Sequence, residues 1–398
     1  MNMTGKRIQS RIMSSVLLAS SIIFLIFVGA IAYNSYITAH RDAERITEAQ
    51  AAQYSNEIHA DLEGALDSAR TMAQVFEEYN NVPANQRRSS FKQALVRILN
   101  EDPTLVGVWT AWEANSIDGM DTRYANQPGQ DSLGRFNPYW YRDGKQVFLS
   151  SVAAKPGAGN LYTSAKSTGQ PMISEPYSVD LGNGKSLITS LIVPIHAQGK
   201  IVGVVGVDVD LKSVANIVDN VHPYKDQKKE NDQGYGFLIS HTGIVAAYPD
   251  LPGSIGRKFT QIKGITQGMS IMDFIHRLGS DNNQDFFTTY DYSPYNKMNN
   301  YQVFYKVQVG KTATPWYFAI SVPDKVILKN VFSTLYMMLG LGIVALLLLV
   351  LAVYRTARSI SAPIIAASQH LDRLGQDDFS SDVPKELLSQ GGEIGLMA

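Results

Sequence analysis

The runs Ser186-Leu187-Ile188-Thr189-Ser190-Leu191-Ile192-Val193-Pro194-Ile195 and Ile201-Val202-Gly203-Val204-Val205-Gly206-Val207-Asp208-Val209 flank the short polar piece Ala197-Gln198-Gly199-Lys200. Both runs are dense in β-branched residues, which fit a pleated and largely buried surface. A Gly-containing polar piece between two such runs predicts a β-hairpin. Working outward from it, Leu105–Trp112 and Gln146–Ser150 read as further strands, and Leu211–Val221 reads as a helix. Beyond a charged linker, Lys225–Asp232, a second round of strands follows: Gly234–Ser240, Ile244–Pro249, Phe286–Tyr290, Gln302–Val309 and Trp316–Val322. No fixed-period repeat links the two rounds, so two diverged α+β modules describe the chain better than a solenoid.

Inside the first round lies Asp131-Ser132-Leu133-Gly134-Arg135-Phe136-Asn137-Pro138-Tyr139-Trp140-Tyr141-Arg142. It packs four aromatic rings and two guanidiniums into a dozen residues, broken by Gly134 and Pro138. A core strand would alternate and avoid Pro, and a surface loop would not carry these rings together. The stretch is expected to form a pocket wall, where flat rings and a few fixed donors hold a small molecule. The alternative is an aromatic loop packed back on its own domain.

Further out, Ile58, Leu62, Ala65, Ala69, Met72 and Phe76 recur at three- and four-residue steps, predicting one long stalk helix from about Asn34 to Tyr79. At both ends stand uncharged apolar segments, Ile12–Ala39 and Val331–Tyr354, each longer than the roughly 20 residues a helix needs to cross a bilayer. The first runs uncharged for longer than a signal peptide's apolar core, which favours a spanning anchor. Lys6, Arg7 and Arg11 precede the first span, and Arg355 and Arg358 follow the second. Both clusters favour the cytoplasm, which puts residues 34–330 outside the inner membrane, in a bacterial periplasm or exterior. The chain of 398 residues has a net charge of −1 and no Cys. Nothing there suggests nucleic acid, and disulfides, thiolate metal sites and a Cys nucleophile are excluded.

This layout resembles the input half of bacterial transmembrane receptors. The part outside the membrane is similar to a double Cache domain, two PAS-like antiparallel-sheet modules carried on one helix. The residues that carry the likeness are Trp112 with Asp118-Gly119-Met120-Asp121, the Gly134–Trp140 run, Ser174-Glu175-Pro176-Tyr177, Gly203–Asp208, Gly234–Phe237 and Ala247-Tyr248-Pro249. Residues 355–398 resemble a partial HAMP linker. Ile360, Ile364, Ala367, Leu371 and Leu374 form a heptad seam there, and Glu393-Ile394-Gly395 stands in place of Asp-Glu-x-Gly. The expected division is 1–11 cytoplasmic, 12–33 first span, 34–80 stalk, 81–222 membrane-distal module, 223–330 membrane-proximal module, 331–354 second span and 355–398 HAMP.

The resemblance implies a ligand site in the distal module, an aromatic box closed by a carboxylate that takes amino acids or amines. Asp208 matches the family's amine-binding position; alternatively it caps the helix at Leu211. Arg135 would clamp a carboxylate or carbonyl, or instead pair with Asp131 or Asp121. Its spacing departs from the amino-acid sensors' pattern, so the expected ligand is a generic small nitrogen-containing molecule. Trp112, Tyr139, Trp140, Tyr162 and Tyr177 are the expected walls, each equally explicable as core. No cofactor, metal or catalytic site is expected, because the seven His are scattered and neither Gly182-Asn183-Gly184 nor Gly234-Tyr235-Gly236 opens a helix after a strand. The sequence thus predicts a homodimeric membrane receptor with a cytoplasmic partner or output module, for chemotaxis. The alternatives are a histidine kinase or diguanylate cyclase input, a protein-binding ectodomain and an anchored periplasmic enzyme.

Overall fold

A computed structural model describes residues 3–155, 158–180, 184–224, 233–263, 272–273, 275–276, 284–312 and 314–375. It divides into two compact units, residues 1–42 with 328–398, and residues 43–327. The expected linker Lys225–Asp232 and the pieces Asp377–Phe379 and Glu393–Gly395 lie outside the described residues.

The first unit contains the start of helix α1 (Met3–Glu77) and the closing helix Lys329–Leu374. Ile22, Ile23, Leu25, Ile26 and Phe27 on one, and Leu341, Ile343, Leu347 and Leu348 on the other, are exposed. Both helices are long and apolar enough to cross a membrane. At Gly342 a Cβ would lie 1.9 Å from the Phe24 ring, so the two helices meet where a small residue lets them approach. Of the heptad seam, Leu371 is exposed; the side chains of Ile360, Ile364, Ala367 and Leu374 lie outside those described.

In the second unit, α1 lays its apolar stripe against the sheet modules. Ile58, Leu62, Ala65, Leu66, Ala69, Met72 and Phe76 are all buried, consistent with a helix that packs on domains along a wide face. His59 Nδ1 lies 2.6 Å from the Gln308 carbonyl, and the Phe76 ring stacks on Phe91 of α2 (Ala84–Glu101) at 4.2 Å.

The first module is a seven-stranded antiparallel sheet in the order β3-β2-β1-β7-β6-β4, with β5 also pairing β6. Its strands are β1 (Leu105–Trp112), β2 (Pro138–Asp143), β3 (Gln146–Ser151), β4 (Met172–Ile173), β5 (Tyr177–Asp180), β6 (Lys185–Ala197) and β7 (Lys200–Asp210). The predicted hairpin is β6–β7, and Gln198 and Gly199 turn it with φ of 49° and 75°. Two positive φ values match the twist of the flanking strands.

The second module orders its five strands β10-β11-β12-β8-β9. They are β8 (Tyr235–Ile239), β9 (Val245–Ala247), β10 (Phe286–Tyr292), β11 (Asn299–Val307) and β12 (Trp316–Pro323). In both sheets the module's first strand lies between its second and its last. This is the expected α+β architecture of two antiparallel modules.

The reading that set the 131–142 stretch apart from a strand is corrected: residues 138–143 are strand β2, paired to β1 and β3. Pro138 is its first residue, a position where a missing N–H is tolerated. Phe136, just before it, is fully buried.

Candidate functional site

Strand pleating decides which side chains meet. Trp109 stands opposite Gly206 and Tyr139, and Gly107 opposite Asp208 and Tyr141, so all six share one face of the sheet. Ser190 faces Asp208 across β6 and β7 and joins them. Two glycines make the room. A Cβ on Gly206 would lie 2.2 Å from the Trp109 indole; one on Gly107 would lie 2.7 Å from the Tyr139 ring and 2.9 Å from Asp208 Oδ2.

At the centre is Asp208, fully buried. Its Oδ1 accepts hydrogen bonds from Ser190 Oγ at 2.7 Å and Trp109 Nε1 at 3.1 Å. The Tyr177 hydroxyl shares a 2.8 Å hydrogen bond with Ser190. Inside this ring of groups sits the ammonium of Lys155, also fully buried, 2.6 Å from both carboxylate oxygens. Its Nζ is 4.8 Å from the Trp109 ring, 5.0 Å from Tyr139 and 5.7 Å from Tyr177. A cation among three aromatic faces and one carboxylate is the arrangement by which proteins recognise ammonium groups.

The charges are felt by their neighbours. Burial pushes the Tyr139 and Tyr177 phenols well up, and the adjacent Asp208 charge adds to it, so both stay neutral. Burial pushes the Lys155 ammonium down, against the pull of Asp208. At the edge of the same apolar cluster, α3 (Ala158–Thr168) brings Tyr162, whose hydroxyl bonds Glu113. Lys166 pairs with the same carboxylate at 2.5 Å. Burial would raise Glu113, but these two hydrogen bonds hold it below its usual range.

Tyr177 also lines a neighbouring cavity of about 670 Å³, with Leu161, Met172, Ile173 and Glu175 from the first module and His241 and Lys311 from the second. Glu175 bridges the modules there. His241 Nδ1 lies 2.6 Å from its Oε1, and Ser240 Oγ donates to its Oε2. Among the described residues no group of three or more His, Asp or Glu side chains is placed to hold a metal ion.

The predicted residues divide. Tyr139, Tyr177 and Asp208 come together, and Tyr162 packs at their edge. Trp112 and Trp140 do not join them. Trp112 lies an odd number of strand positions from Trp109 and packs on Phe91 and Tyr79 instead. Trp140 is paired with Val108, not Trp109, and so shares the opposite face. Arg135 is ion-paired to Asp131 at 2.6 Å and its side chain is 46% exposed, the second of the two arrangements the sequence allowed. Asp208 does not cap the following helix, α4 (Leu211–Asp219); Asp210 does, accepting from Lys212 N at 3.0 Å.

Sequence reasoning missed Trp109, Ser190 and Lys155. Strand parity would have exchanged Trp112 for Trp109 once Asp208 was chosen. Nothing local marks Lys155.

The Asp118–Asp121 motif proves to be scaffold. Arg88 of α2 donates to Asp118, Asp121, Gln130 Oε1 and the Gly134 carbonyl through five bonds of 2.5–2.9 Å, tying the long excursion between β1 and β2 to the helix. All five guanidinium N–H groups are used.

Known proteins place this fold in a class of sensor domains. A family model described as a Cache domain, of the double type, matches residues 37–331, and the chain belongs to that family. The methyl-accepting chemotaxis protein TlpQ of Pseudomonas aeruginosa is 23% identical over 323 residues, which cover 74% of this chain and 43% of TlpQ. The chain thus spans less than half the length of that curated relative. The solved extracellular domain assigned to histidine kinase mmHK1S-Z2 is 27% identical, with a TM-score of 0.59, over 73% of this chain and 99% of that one. The structure of Methyl-accepting Chemotaxis protein X shares the fold at 21% identity, with a TM-score of 0.53, over 74% of this chain and 99% of that chain.

Proposed function

We propose that the chain is the input half of a bacterial inner-membrane receptor that senses a small nitrogen-containing molecule. Residues 34–330 lie outside the cytoplasm, and the module of residues 81–222 binds the ligand through its ammonium group. The observation that carries the reading is a position, marked by Lys155 Nζ, that is bounded by the Asp208 carboxylate and three aromatic faces. Such faces contribute about 0.5–2 kcal/mol each toward a desolvated cation, and the carboxylate supplies charge-assisted hydrogen bonds. Tyr177 belongs both to this box and to the neighbouring cavity of about 670 Å³, where the ligand's remaining atoms would lie.

Binding biases the sheet module between two states and shifts the second span, residues 331–354, by an ångström or two. A homodimer with a HAMP-like segment at 355–398 passes that shift to a cytoplasmic output. The likeness to TlpQ favours chemotaxis, and the likeness to the mmHK1S-Z2 domain supports kinase control as the second reading. Coupling of about 1–3 kcal/mol between ligand and output suffices.

The test is thermal unfolding of the purified chain in nanodiscs against a panel of amino acids, amines and uncharged analogues. A nitrogenous compound that raises Tm in wild type but not in Asp208→Asn supports the reading. A stabilising compound that acts equally on both places the site elsewhere.

A further inference from the structure

Five of the six residues of the box stand on strands: Trp109 on β1, Tyr139 on β2, Tyr177 on β5, Ser190 on β6 and Asp208 on β7. Each is held by sheet pairing on one or both sides. The sixth, Lys155, is different. It follows β3 and the short helical turn Val152–Ala154, and its own N–H is bonded to the Val152 carbonyl at 2.9 Å. The walls belong to the sheet, and the occupant belongs to a turn.

The surroundings of the Lys155 ammonium also differ from those of a cation built in for good. Arg88 spends five N–H donors on four acceptor groups drawn from the segment it ties down. Lys155 makes two short bonds to a single carboxylate and a long 3.3 Å contact to Ser190, with three ring faces 4.8–5.7 Å from its ammonium. Asp208 also accepts from two neutral donors on the sheet, Trp109 and Ser190. Burial disfavours the charged amine, so its release to water recovers hydration that the box withholds.

Charge balance sets a further condition. A second cation beside an intact Lys155–Asp208 pair would leave a net positive charge buried, which is strongly unfavourable. One ammonium fits; two do not.

We propose that Lys155 is a tethered occupant of the ammonium site, and that an external ammonium binds by exchange with it. The proposal rests on the reading of the box as an ammonium site and adds to it the identity of the competitor. Exchange keeps one positive charge against Asp208 throughout. It also couples entry of the ligand to departure of the turn after β3, a change of chain conformation that a bound ligand in an already empty box would not produce. The tether holds its ammonium at a high effective concentration, so apparent affinity for a free amine is lowered by the fraction of time the box is self-occupied.

The experiment uses the full chain in nanodiscs. Lys155→Ala removes three carbons and the ammonium, the atoms of n-propylammonium. That variant is expected to bind n-propylammonium saturably, raising Tm, with an apparent Kd at least about tenfold below that of wild type. n-Propanol, the uncharged match, should not substitute, and Lys155→Ala with Asp208→Asn should bind neither. Equal affinity of wild type and Lys155→Ala for n-propylammonium overturns the exchange and leaves the ammonium site standing. A folded Lys155→Ala chain that takes up no n-propylammonium overturns the site and the exchange together.

The wild-type chain supplies a second measurement that needs no variant. Lys155 is buried and should resist acetylation by an N-hydroxysuccinimide ester, read by peptide mass spectrometry. Trimethylammonium, which forms no stable amide, should raise labelling of Lys155 several-fold while other lysines stay constant. Labelling of Lys155 that does not change across the soluble range of trimethylammonium overturns the proposal.

Discussion

The two sheet modules can be laid strand on strand, and the first strand of each carries an aromatic residue opposite a small residue of the last. Trp109 faces Gly206 in the first module, and Phe237 faces Ala319 in the second. Two positions along, Gly107 faces Asp208 where the second module has Tyr235 facing Ser321. The difference is a filled volume against a charged one. Tyr235 is buried, stacks on Tyr248 at 5.5 Å and donates to Ser293 at 2.6 Å. Phe237, Tyr248, Phe259 and Phe304 continue the packing, with ring centroids 5.1–5.6 Å apart along Phe237's contacts. Ser321 accepts from neutral side chains, the amides of Asn300 and Gln302. The same frame therefore serves as a packed core in one module and as a charged box in the other. A glycine on the first strand is what leaves room for the carboxylate on the last.

The largest effect should come from breaking the charged side. Asp208→Ala takes the counter-charge from the Lys155 ammonium and should cost up to about 3–5 kcal/mol in denaturant unfolding, the upper end applying where the ammonium stays buried and the lower where its turn releases it. Asp208→Leu combined with Lys155→Met should cost much less than Asp208→Ala, because no charge is left unpaired. If the double variant is worse than the single one, the pair is not the source of the loss.

On the packed side, Tyr235→Ala should cost about 3–4 kcal/mol through the cavity it leaves. It should leave ammonium binding by the first module unchanged. A parallel loss of binding would show that the two modules do not act as separate sites.

Gly206→Ala introduces a methyl against Trp109 and should cost about 1–3 kcal/mol of overpacking strain. It should also shift the fluorescence of Trp109, read in a chain whose other three tryptophans are replaced. No shift would mean the indole does not lie on Gly206.

The bridge between the modules should show in pH. Burial raises the Glu175 carboxyl, but hydrogen bonds from His241 and Ser240 outweigh it and hold it below its usual range. A carboxyl that is lower in the folded chain stabilises above its unfolded value of about 4.3 and loses that contribution as pH falls through the folded value. Wild type should therefore exceed Glu175→Gln in Tm near pH 6, and the gap should close as pH drops below about 4. A gap that persists in acid would assign the effect to shape and not to charge. Smallest of all, Arg135→Ala should change stability by less than about 1 kcal/mol, because the arginine end of the pair is half exposed and the buried Asp131 keeps the backbone N–H donors of Leu133 and Arg135. A large loss of ligand binding in this variant would restore Arg135 to the site.

The strands, the hairpin turn, the stalk stripe and the two spans were legible because each is set by neighbours a few residues away. The grouping around Asp208 was legible in part. Asp208, Tyr139 and Tyr177, which the fold brings together, were named from residue type and resemblance, whereas Trp112 and Trp140 were chosen without regard to pleat. In a strand, residues three apart or adjacent point to opposite faces, so Trp109 and Tyr139 meet while Trp112 and Trp140 turn to the other side. Arg135 and Asp131 are four residues apart, and that local pair won over any distant partner.

By itself, then, the sequence determined an α+β Cache-type domain between two helices long and apolar enough to cross a membrane, since hydropathy and strand patterning are local properties of the chain. Only the tertiary structure decided what faces Asp208. Lys155 lies 53 residues from it in sequence, on a turn, with no periodicity to announce it. Register between β1, β6 and β7 sets the position of the carboxylate, two glycines open the space above it, and a turn from outside the sheet fills that space with an ammonium. None of those three conditions is written in any one stretch.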